Sequence, residues 1–207
     1  MCFYKGKINM KVLVIGGNGT IGKAIVEELS TRHEVVVAGL TRGDVQVDIT
    51  DVDSIKAMYQ QIGQLDSVVI ASGSVHFGAL TEMNAELYQK GLQSKLMGQV
   101  NVVLEGIKHL NDKGSFTLTS GILNREPINL GSSAAMVNGA LDGFVKHAAI
   151  ELPRGLRINI VSPTVITEAL AGYAPFFRGF KSVSAADAAL AYSKSVEGLT
   201  TGQVYAV

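Results

Sequence analysis

The feature that most constrains the fold of this chain is a glycine-rich turn that joins an apolar run to an amphipathic segment. The run KVLVIGG at 11–17 is rich in β-branched residues and ends in glycines, which predicts a buried strand. The segment TIGKAIVEELS at 20–30 places Ile21, Ile25 and Leu29 at helical spacing, which predicts a helix. A strand that turns directly into a helix begins a β-α-β unit, so the chain is expected to build a parallel sheet.

The same alternation of apolar runs and amphipathic segments continues to the end of the chain. Further strands are predicted at 34–39, 45–49, 66–73, 115–121, 157–163 and 202–207. Helices are predicted at 51–63, 84–110, 131–152 and 185–196. Asp51 is the expected N-cap of the first of these helices. With 207 residues, of which 47% are hydrophobic, we predict one α/β domain at 10–207 with a doubly wound, Rossmann-like parallel sheet, after a flexible extension at 1–9.

Charge and cysteine content exclude several classes of function. The 18 basic residues balance the 18 acidic residues, so nothing predicts binding to nucleic acid or to an anionic membrane surface. No run approaches the roughly 18 apolar residues that a membrane span needs. Cys2 is the only cysteine, which excludes an intramolecular disulfide and favours a reducing, cytoplasmic location. The four histidines show no metal-ligand spacing, so we expect no metal site.

The glycine turn IGGNGTIG satisfies two spacings of dinucleotide-binding proteins. Gly17, Gly19 and Gly22 form G-x-G-x-x-G, and Gly16 with the last two forms G-x-x-G-x-x-G. Glycine allows a tight turn and the close approach of a diphosphate, which the helix N-terminus then attracts. The residues predicted to bind the cofactor here are Gly16, Gly17, Asn18, Gly19, Thr20, Ile21 and Gly22. The alternative is a glycine turn that only packs the helix against the strand.

The end of the second strand bears on which dinucleotide binds. NAD-binding folds usually place an acidic residue there to hold the ribose 2′-hydroxyl, but this strand is followed by Thr41 and Arg42. Arg42 can pair with a 2′-phosphate, and the alternative is a solvated loop arginine. NADP(H) is therefore favoured over NAD(H). Asp48, followed by Ile49, is placed to reach the adenine edge.

These segments together resemble the short-chain dehydrogenase/reductase family. The glycine turn, VDITD at 47–51, TLTSG at 117–121 and NGALDGFVKHAAIELPRGLRINIVSP at 138–163 are similar to that family's glycine turn, adenine-side segment, catalytic-serine strand and active-site helix with its following strand. The resemblance covers 10–207 and implies NAD(P)(H)-dependent oxidation or reduction of a carbonyl or alcohol. It also implies cofactor contacts from Ala71, Ser72, Gly73, Pro163 and Ile166.

The active-site residues depart from the family pattern, which uses Asn, Ser, Tyr and Lys, with Tyr four residues before Lys. Ser120 matches the serine. Asn138 stands where the resemblance places Lys, and Ala134 stands where it places Tyr. In KLMG, Lys95 stands where the family has Asn. Asn and Lys have therefore exchanged places, and the tyrosine is missing.

Three hypotheses follow for function, and none of them identifies the substrate. The first is an oxidoreductase with a rearranged site: Ser120 polarises the carbonyl, Lys95 supplies charge or a proton, and Asn138 holds Lys95 or the ribose hydroxyls. Tyr173 and Arg178, in a loop expected to act as a lid, are candidates to complete the proton relay. The second is a non-catalytic dinucleotide-binding sensor or scaffold. The third is a structural protein that has kept only the fold.

Several side chains have both a functional and a structural interpretation. Phe176 and Phe177 are either walls of a substrate pocket or lid packing. Met83, Met97 and Met136, at helical positions, are expected in the core. The resemblance implies that the helices at 84–110 and 131–152 pair between subunits of a homodimer or homotetramer. The alternative is that both apolar faces are buried within one chain. Ser120 and His147 do not form a convincing catalytic triad with any aspartate.

Overall fold

The seven predicted strand regions form one parallel sheet in a computed structural model that describes residues 9–207. The predicted extension up to residue 8, with Cys2, lies outside the described residues. The strands are β1 Lys11–Ile15, β2 Glu34–Gly39, β3 Val45–Gln46, β4 Leu65–Ile70, β5 Leu110–Thr119, β6 Arg157–Ser162 and β7 Val204–Ala206. Their order across the sheet is β3-β2-β1-β4-β5-β6-β7, and every neighbouring pair is parallel. This order confirms the doubly wound, Rossmann-like prediction.

Helices connect the strands and cover both faces of the sheet. They are α1 Thr20–Ser30, α2 Val52–Ile62, α3 Ala85–Gly91, α4 Gly98–Gly106, α5 Ser132–Glu151, α6 Leu170–Tyr173 and α7 Ala185–Glu197. A π-helical turn, Leu92–Met97, joins α3 to α4. The Asp51 side chain accepts a hydrogen bond from the Asp53 amide, so the predicted N-cap of α2 is confirmed.

The side chains of each strand alternate between the two faces of the sheet, and both of these faces are apolar. In β1, Leu13 and Ile15 face the layer formed by α2, α4 and α5, whereas Val12 and Val14 face the layer formed by α1 and α7. Successive residues of a strand point to opposite faces, so a strand covered on both sides needs an unbroken apolar run. The chain leaves β1 toward β2 on one side and reaches β4 on the other. The carboxyl ends of β1 and β4 therefore flank a crevice, the usual ligand position in such sheets.

The largest differences from the sequence predictions lie in the helix predicted at 84–110 and in the strands β3 and β5. The helix predicted at 84–110 ends earlier, because Leu110 already pairs with Leu65 in β5. The apolar pattern of a buried strand is missing at the start of β5, because Asn111, Asp112 and Lys113 are exposed. The pairing of β4 with β5 also shifts register between Leu65 and Ser67. β3 pairs only two residues with β2, because Asp48 then turns the chain by accepting hydrogen bonds from Thr50.

The prediction that the helical methionines lie in the core was wrong for two of them. Met97 is 43% exposed and Met136 is 42% exposed. The helices that carry them are apolar on more than one face, and only the face toward the sheet is buried. In the described part of the chain, no helix is both long and apolar enough to cross a bilayer.

Candidate cofactor groove and active site

Three glycines of the turn after β1 are required by the packing of the turn itself. Gly16 has a φ of +83°, and an added Cβ would lie 2.4 Å from the carbonyl oxygen of Ala71. A Cβ on Gly22 would lie 2.0 Å from the carbonyl oxygen of Gly16, and one on Gly17 would lie 2.8 Å from a methyl carbon of Val37. These close approaches hold β1, β4 and α1 together.

Gly19 differs from these three, because no internal contact requires it. It is the N-cap of α1, it is exposed, and its φ of −77° suits any residue. An added Cβ would meet only the Gly16 carbonyl oxygen, at an ordinary 3.4 Å. The missing side chain leaves the N-terminus of α1 open beside Asn18 and Thr20, which are also exposed. Free amide groups there fit the diphosphate of a dinucleotide.

A cavity of about 600 Å³ lies at the carboxyl ends of β1, β2 and β4. It is lined by Ile15, Gly39, Leu40, Val47, Asp48, Ile49, Thr50, Ser72, Gly73, Ser74, Lys90, Gln93 and Ser94. The structure thus brings together four predicted cofactor residues, namely Asp48, Ile49, Ser72 and Gly73. Hydrogen bonds from the side chain and backbone of Thr50 lower the pKa of Asp48, so its carboxylate is ionised at neutral pH.

Sequence reasoning missed the polar residues that reach this cavity from the helical side. Lys90, Gln93 and Ser94 reach it from α3 and the π-helical turn. A polar stripe on an otherwise apolar helix could have indicated them. The stripe does not reveal which strand end the helix crosses, because that depends on tertiary packing.

The loop predicted to discriminate between cofactors is tied to the glycine turn. Asn18 donates a hydrogen bond from Nδ2 to the Arg42 carbonyl oxygen at 2.8 Å. Thr41 and Arg42 are exposed and lie outside the lining of the 600 Å³ cavity, whereas Leu40, 66% exposed, lines it. Within residues 9–207 the Arg42 guanidinium has no ion pair, so it is available at the rim.

A second cavity, of about 220 Å³, joins the residues predicted to be catalytic. Lys95, Ser120 and Asn138 line it, and so does Ala134. The predicted cofactor residues Ile21, Pro163 and Ile166 also line this cavity. Ala71 lines neither cavity, and its carbonyl packs against the glycine turn instead.

The two cavities are neighbours. Gly73 lines the larger one, and an added Cβ at Gly73 would lie 2.8 Å from the Cα of Lys95, which lines the smaller one. A molecule bound along the carboxyl edge of the sheet can therefore reach from Asp48 to Lys95.

Lys95 enters the smaller cavity from the π-helical turn. π-Helical turns are rare in proteins, and those that occur are often found at functional sites. The Nζ atom donates a hydrogen bond to the Ser120 carbonyl oxygen at 3.1 Å. Desolvation by burial lowers the pKa of the Lys95 amine to about 8. No aspartate or glutamate lines the cavity to raise it again.

Three residues that line this cavity, Ser120, Asn138 and Thr164, each have a buried polar atom without a hydrogen-bond partner among residues 9–207. The Oγ atom of Ser120 and the Oδ1 atom of Asn138 are buried and unpartnered in the described part of the chain. The Asn138 Nδ2 atom donates to the Gly121 carbonyl oxygen at 3.3 Å, so Asn138 is held by the strand end rather than by Lys95. Buried polar atoms are normally satisfied, so the two on Ser120 and Asn138 fit a ligand that supplies hydroxyl and carbonyl groups.

Gln99 is a supporting residue that sequence reasoning missed. It is fully buried on α4, and its Nε2 atom donates to the carbonyl oxygens of Lys95, at 3.1 Å, and Thr119, at 2.9 Å. Its Oε1 atom accepts from the Thr119 amide at 2.9 Å. Gln99 therefore fixes the helix that carries Lys95 to the strand end that carries Ser120. The signal available in the sequence was an amide at a position of α4 whose neighbours one turn away, Val102 and Val103, are apolar.

Aromatic residues close the smaller cavity on its outer side. Phe77, Tyr173 and Phe177 line it. Phe176, 39% exposed, does not, and Arg178 is exposed outside the lining. The structure thus places Tyr173 beside the predicted catalytic residues and leaves Arg178 away from them.

Other chemistries find no support in the geometry. His147 is exposed on α5, whereas Asn138 on the same helix is buried, so His147 lies on a different face from the cavity. Among residues 9–207, no three His, Cys, Asp or Glu side chains lie close enough to hold a metal ion.

A family model and two crystal structures of other proteins match nearly the whole chain. A family model described as "Enoyl-(Acyl carrier protein) reductase" matches residues 10–202. The crystal structure of the protein lin1944 from Listeria innocua is 54% identical, with a TM-score of 0.94, and the match covers 96% of this chain and 99% of that chain. A small-chain dehydrogenase solved in complex with NADPH is 27% identical, with a TM-score of 0.85 and a match covering 96% of each chain.

A curated relative is described only as an uncharacterized oxidoreductase. It comes from Methylorubrum extorquens and is 29% identical over 147 residues. The match covers 70% of this chain and 58% of the relative, so this chain spans less than two thirds of that protein's length.

Proposed function

We propose a function from one premise: the chain belongs to the short-chain dehydrogenase/reductase family. The proposed function is an NAD(P)(H)-dependent oxidoreductase that interconverts a carbonyl and an alcohol in the 220 Å³ cavity. The observation that carries it is Lys95, whose amine reaches this cavity and is held 3.1 Å from the Ser120 carbonyl oxygen. Lys95 is only partly exposed and no carboxylate from residues 9–207 lines its cavity, which disfavours the charged amine, so a lysine at this position supports a chemical role.

The residues on the cavity walls fit a dinucleotide along the sheet edge. The open N-terminus of α1 at Gly19 would hold the diphosphate, and the cavity at Asp48 would hold the adenosine end. Ile21 and Ile166 would hold the nicotinamide beside Lys95. When bound, the cofactor supplies or accepts a hydride. A relative at 27% identity is described in complex with NADPH, which supports NADP(H) here.

The chain's own residues would handle the substrate oxygen. The Ser120 hydroxyl, which has no partner, would donate a hydrogen bond to the carbonyl oxygen. The Lys95 ammonium would stabilise the developing negative charge and give it a proton. A pKa of about 8 leaves most of the amine protonated at pH 7 and makes the transfer easier than from an ordinary lysine. Asn138 Oδ1 would accept a hydrogen bond from a ribose hydroxyl.

The second candidate is a dinucleotide-binding protein without turnover, acting as a sensor or scaffold. Ala134 favours it, because a methyl group stands in the cavity where the resemblance places the proton donor. Loss of a general acid lowers a rate by about 10²–10⁴. The two candidates therefore differ in whether Lys95 replaces that acid.

Cofactor titration followed by turnover separates the candidates. The purified protein is titrated with NADPH and with NADH, following cofactor fluorescence, and NADPH oxidation is then measured with a panel of aldehydes and ketones. We expect Lys95→Met to bind NADPH within about threefold of wild type and to lose at least about 100-fold in turnover. Lys146→Met, on the exposed side of α5, is the matched control and should keep full activity.

Each outcome decides between the two functions. Full turnover by Lys95→Met would remove Lys95 from the mechanism. NADPH binding by wild type without oxidation by any carbonyl would favour the sensor or scaffold. Failure to bind either cofactor, in protein that is folded by circular dichroism, would contradict both.

We also propose that α4 and α5 pair with a second copy of the chain. Leu104 on α4 is 55% exposed, and Met97 and Met136 are 43% and 42% exposed on the adjoining turn and on α5. Exposed large apolar side chains on neighbouring helices are typical of subunit interfaces. Light scattering after size-exclusion chromatography should give a dimer or tetramer for wild type and a smaller species for Leu104→Glu.

A further inference from the structure

The 220 Å³ cavity has two walls of opposite chemistry. Lys95, Ser120 and Asn138 supply polar atoms on the inner wall. The outer wall is apolar and consists of Val75, Phe77, Leu123, Ala134, Tyr173 and Phe177. A molecule that fills the cavity therefore needs one polar end and one apolar end.

The rings of the outer wall support one another. Tyr173 lies 6.3 Å from Phe177 between ring centroids, edge to face, and 6.4 Å from Phe77. Phe177 in turn lies 5.2 Å from Phe180, also edge to face. Aromatic pairs favour this geometry. The wall therefore presents ring faces and edges already held in place, although Phe77 and Tyr173 come from different parts of the chain.

Charge narrows the choice of ligand further. No aspartate, glutamate, histidine or arginine lines this cavity, and Lys95 is its one basic residue. A substrate that carries a cation would find no counter-ion there. A polyol would leave most of its hydroxyl groups without partners against the aromatic wall, which is costly in a desolvated site.

Volume limits the size of the ligand. A cavity of about 150 Å³ accommodates benzene. The 220 Å³ found here, part of which the nicotinamide would fill at Ile21 and Ile166, therefore leaves room for a single ring as the substrate's apolar end. Two fused rings would exceed it without movement of Tyr173.

We propose that the cavity takes a monocyclic aromatic aldehyde or ketone, with its ring against Tyr173 and Phe177 and its carbonyl oxygen toward Ser120 and Lys95. The reduction of the bound carbonyl group rests on the proposed function. The preference of the cavity for an aromatic ring does not depend on that function. It assigns Tyr173 a role through its ring rather than as a proton donor. Replacing Tyr173 by Phe should therefore leave binding of the aromatic ligand nearly unchanged, whereas replacing it by Ala should weaken that binding.

A ligand that cannot be reduced tests the binding preference without turnover. Benzamide, acetamide and 2-naphthamide are titrated calorimetrically into protein held in saturating NADPH. We expect benzamide to bind at least about tenfold more tightly than either of the others. Tyr173→Ala and Phe177→Ala should each weaken benzamide binding by about tenfold, while Tyr173→Phe stays within about twofold. Phe176→Ala, next to the cavity but outside its lining, is the matched control.

The outcomes separate this inference from the proposed function. Equal binding of acetamide and benzamide, or alanine variants that bind benzamide as wild type does, would overturn the aromatic site even if other carbonyls are reduced. Selective benzamide binding without oxidation of NADPH by any aldehyde or ketone of the panel would support the aromatic site and contradict the oxidoreductase. A large loss of benzamide binding in Tyr173→Phe would overturn the assignment of Tyr173 to its ring.

Discussion

Lys95 donates a hydrogen bond from its Nζ atom to the carbonyl oxygen of Ser120 at 3.1 Å, across a gap of 25 residues in the chain. The acceptor is the backbone of the residue whose free hydroxyl enters the same cavity. Because a carbonyl is neutral, this bond orients the amine without the ion pair that would raise its pKa. Orientation and a lowered pKa in one residue are the properties that a proton donor requires.

The first prediction concerns the pH dependence of turnover. Carbonyl reduction needs protonated Lys95, and alcohol oxidation needs the neutral amine. With a pKa of about 8, kcat/KM for reduction should fall as pH rises through 8, and that for oxidation should rise over the same range. Lys95→Arg, which stays charged throughout, should give a flat profile at a lower rate. Steady-state kinetics from pH 6 to 10 in both directions checks this, and a flat wild-type profile would contradict it.

The second prediction concerns stability. The Lys95 pKa falls from 10.5 to about 8 on folding, so between these values the unfolded chain binds more protons. The free energy of unfolding that depends on this group must then rise with pH from 8 to 10.5. Lys95→Met should be more stable than wild type at pH 7, by about 1–3 kcal/mol, and the difference should shrink by pH 10. Urea unfolding at both pH values measures it; an equal difference at the two would count against burial of the charge.

The third prediction separates the two roles of glycine in the turn. Gly22→Ala places a Cβ 2.0 Å from the Gly16 carbonyl oxygen, so it should destabilise the fold and abolish cofactor binding together. Gly19→Ala meets only an ordinary contact, so it should leave the melting temperature within about 2 °C of wild type. Its methyl group would still obstruct the diphosphate and weaken NADPH binding by at least about tenfold. Unchanged NADPH affinity in Gly19→Ala would contradict the diphosphate site.

The fourth prediction concerns the choice between NADPH and NADH. Arg42→Ala should weaken NADPH binding by about tenfold and leave NADH binding unchanged, because only NADPH has a 2′-phosphate. Leu40→Asp places a carboxylate on the cavity wall, where it should repel the phosphate and favour NADH. Fluorescence titrations with both cofactors test the pair. Parallel losses for NADPH and NADH in Arg42→Ala would show that Arg42 does not contact the phosphate.

The turn between β1 and α1 could be predicted from its own residues. The contact that needs Gly22 lies within one β-α unit, and the spacing of Ile25 and Leu29 reports the buried face of α1. The N-cap at Asp51 was equally local, because its side chain bonds a backbone amide two residues away. Such features depend on local backbone dihedral angles and on which residues of a segment face solvent. Both are set by residues that are close in sequence.

Which residues line the smaller cavity could be predicted from the sequence, but the contacts that these residues make could not. Resemblance to a family placed Lys95, Ser120 and Asn138 together, and they do line one cavity. It did not show that Asn138 bonds Gly121 rather than Lys95, or that Gln99 joins the helix to the strand. These contacts depend on how α4 and α5 pack against the end of β5.

By itself the sequence determined the alternation of strands and helices along the chain and the glycine turn at their first junction. Tertiary structure alone decided that Met97 and Met136 face outward, that β5 begins at Leu110 and that Tyr173 and Lys95 line one cavity. The reason is that hydrophobic periodicity shows which face of a segment is exposed to solvent. Distances between side chains far apart in the sequence depend instead on how all the helices and strands pack together. The lowered pKa of Lys95 belongs to the second kind, because desolvation comes from residues that only the fold brings near it.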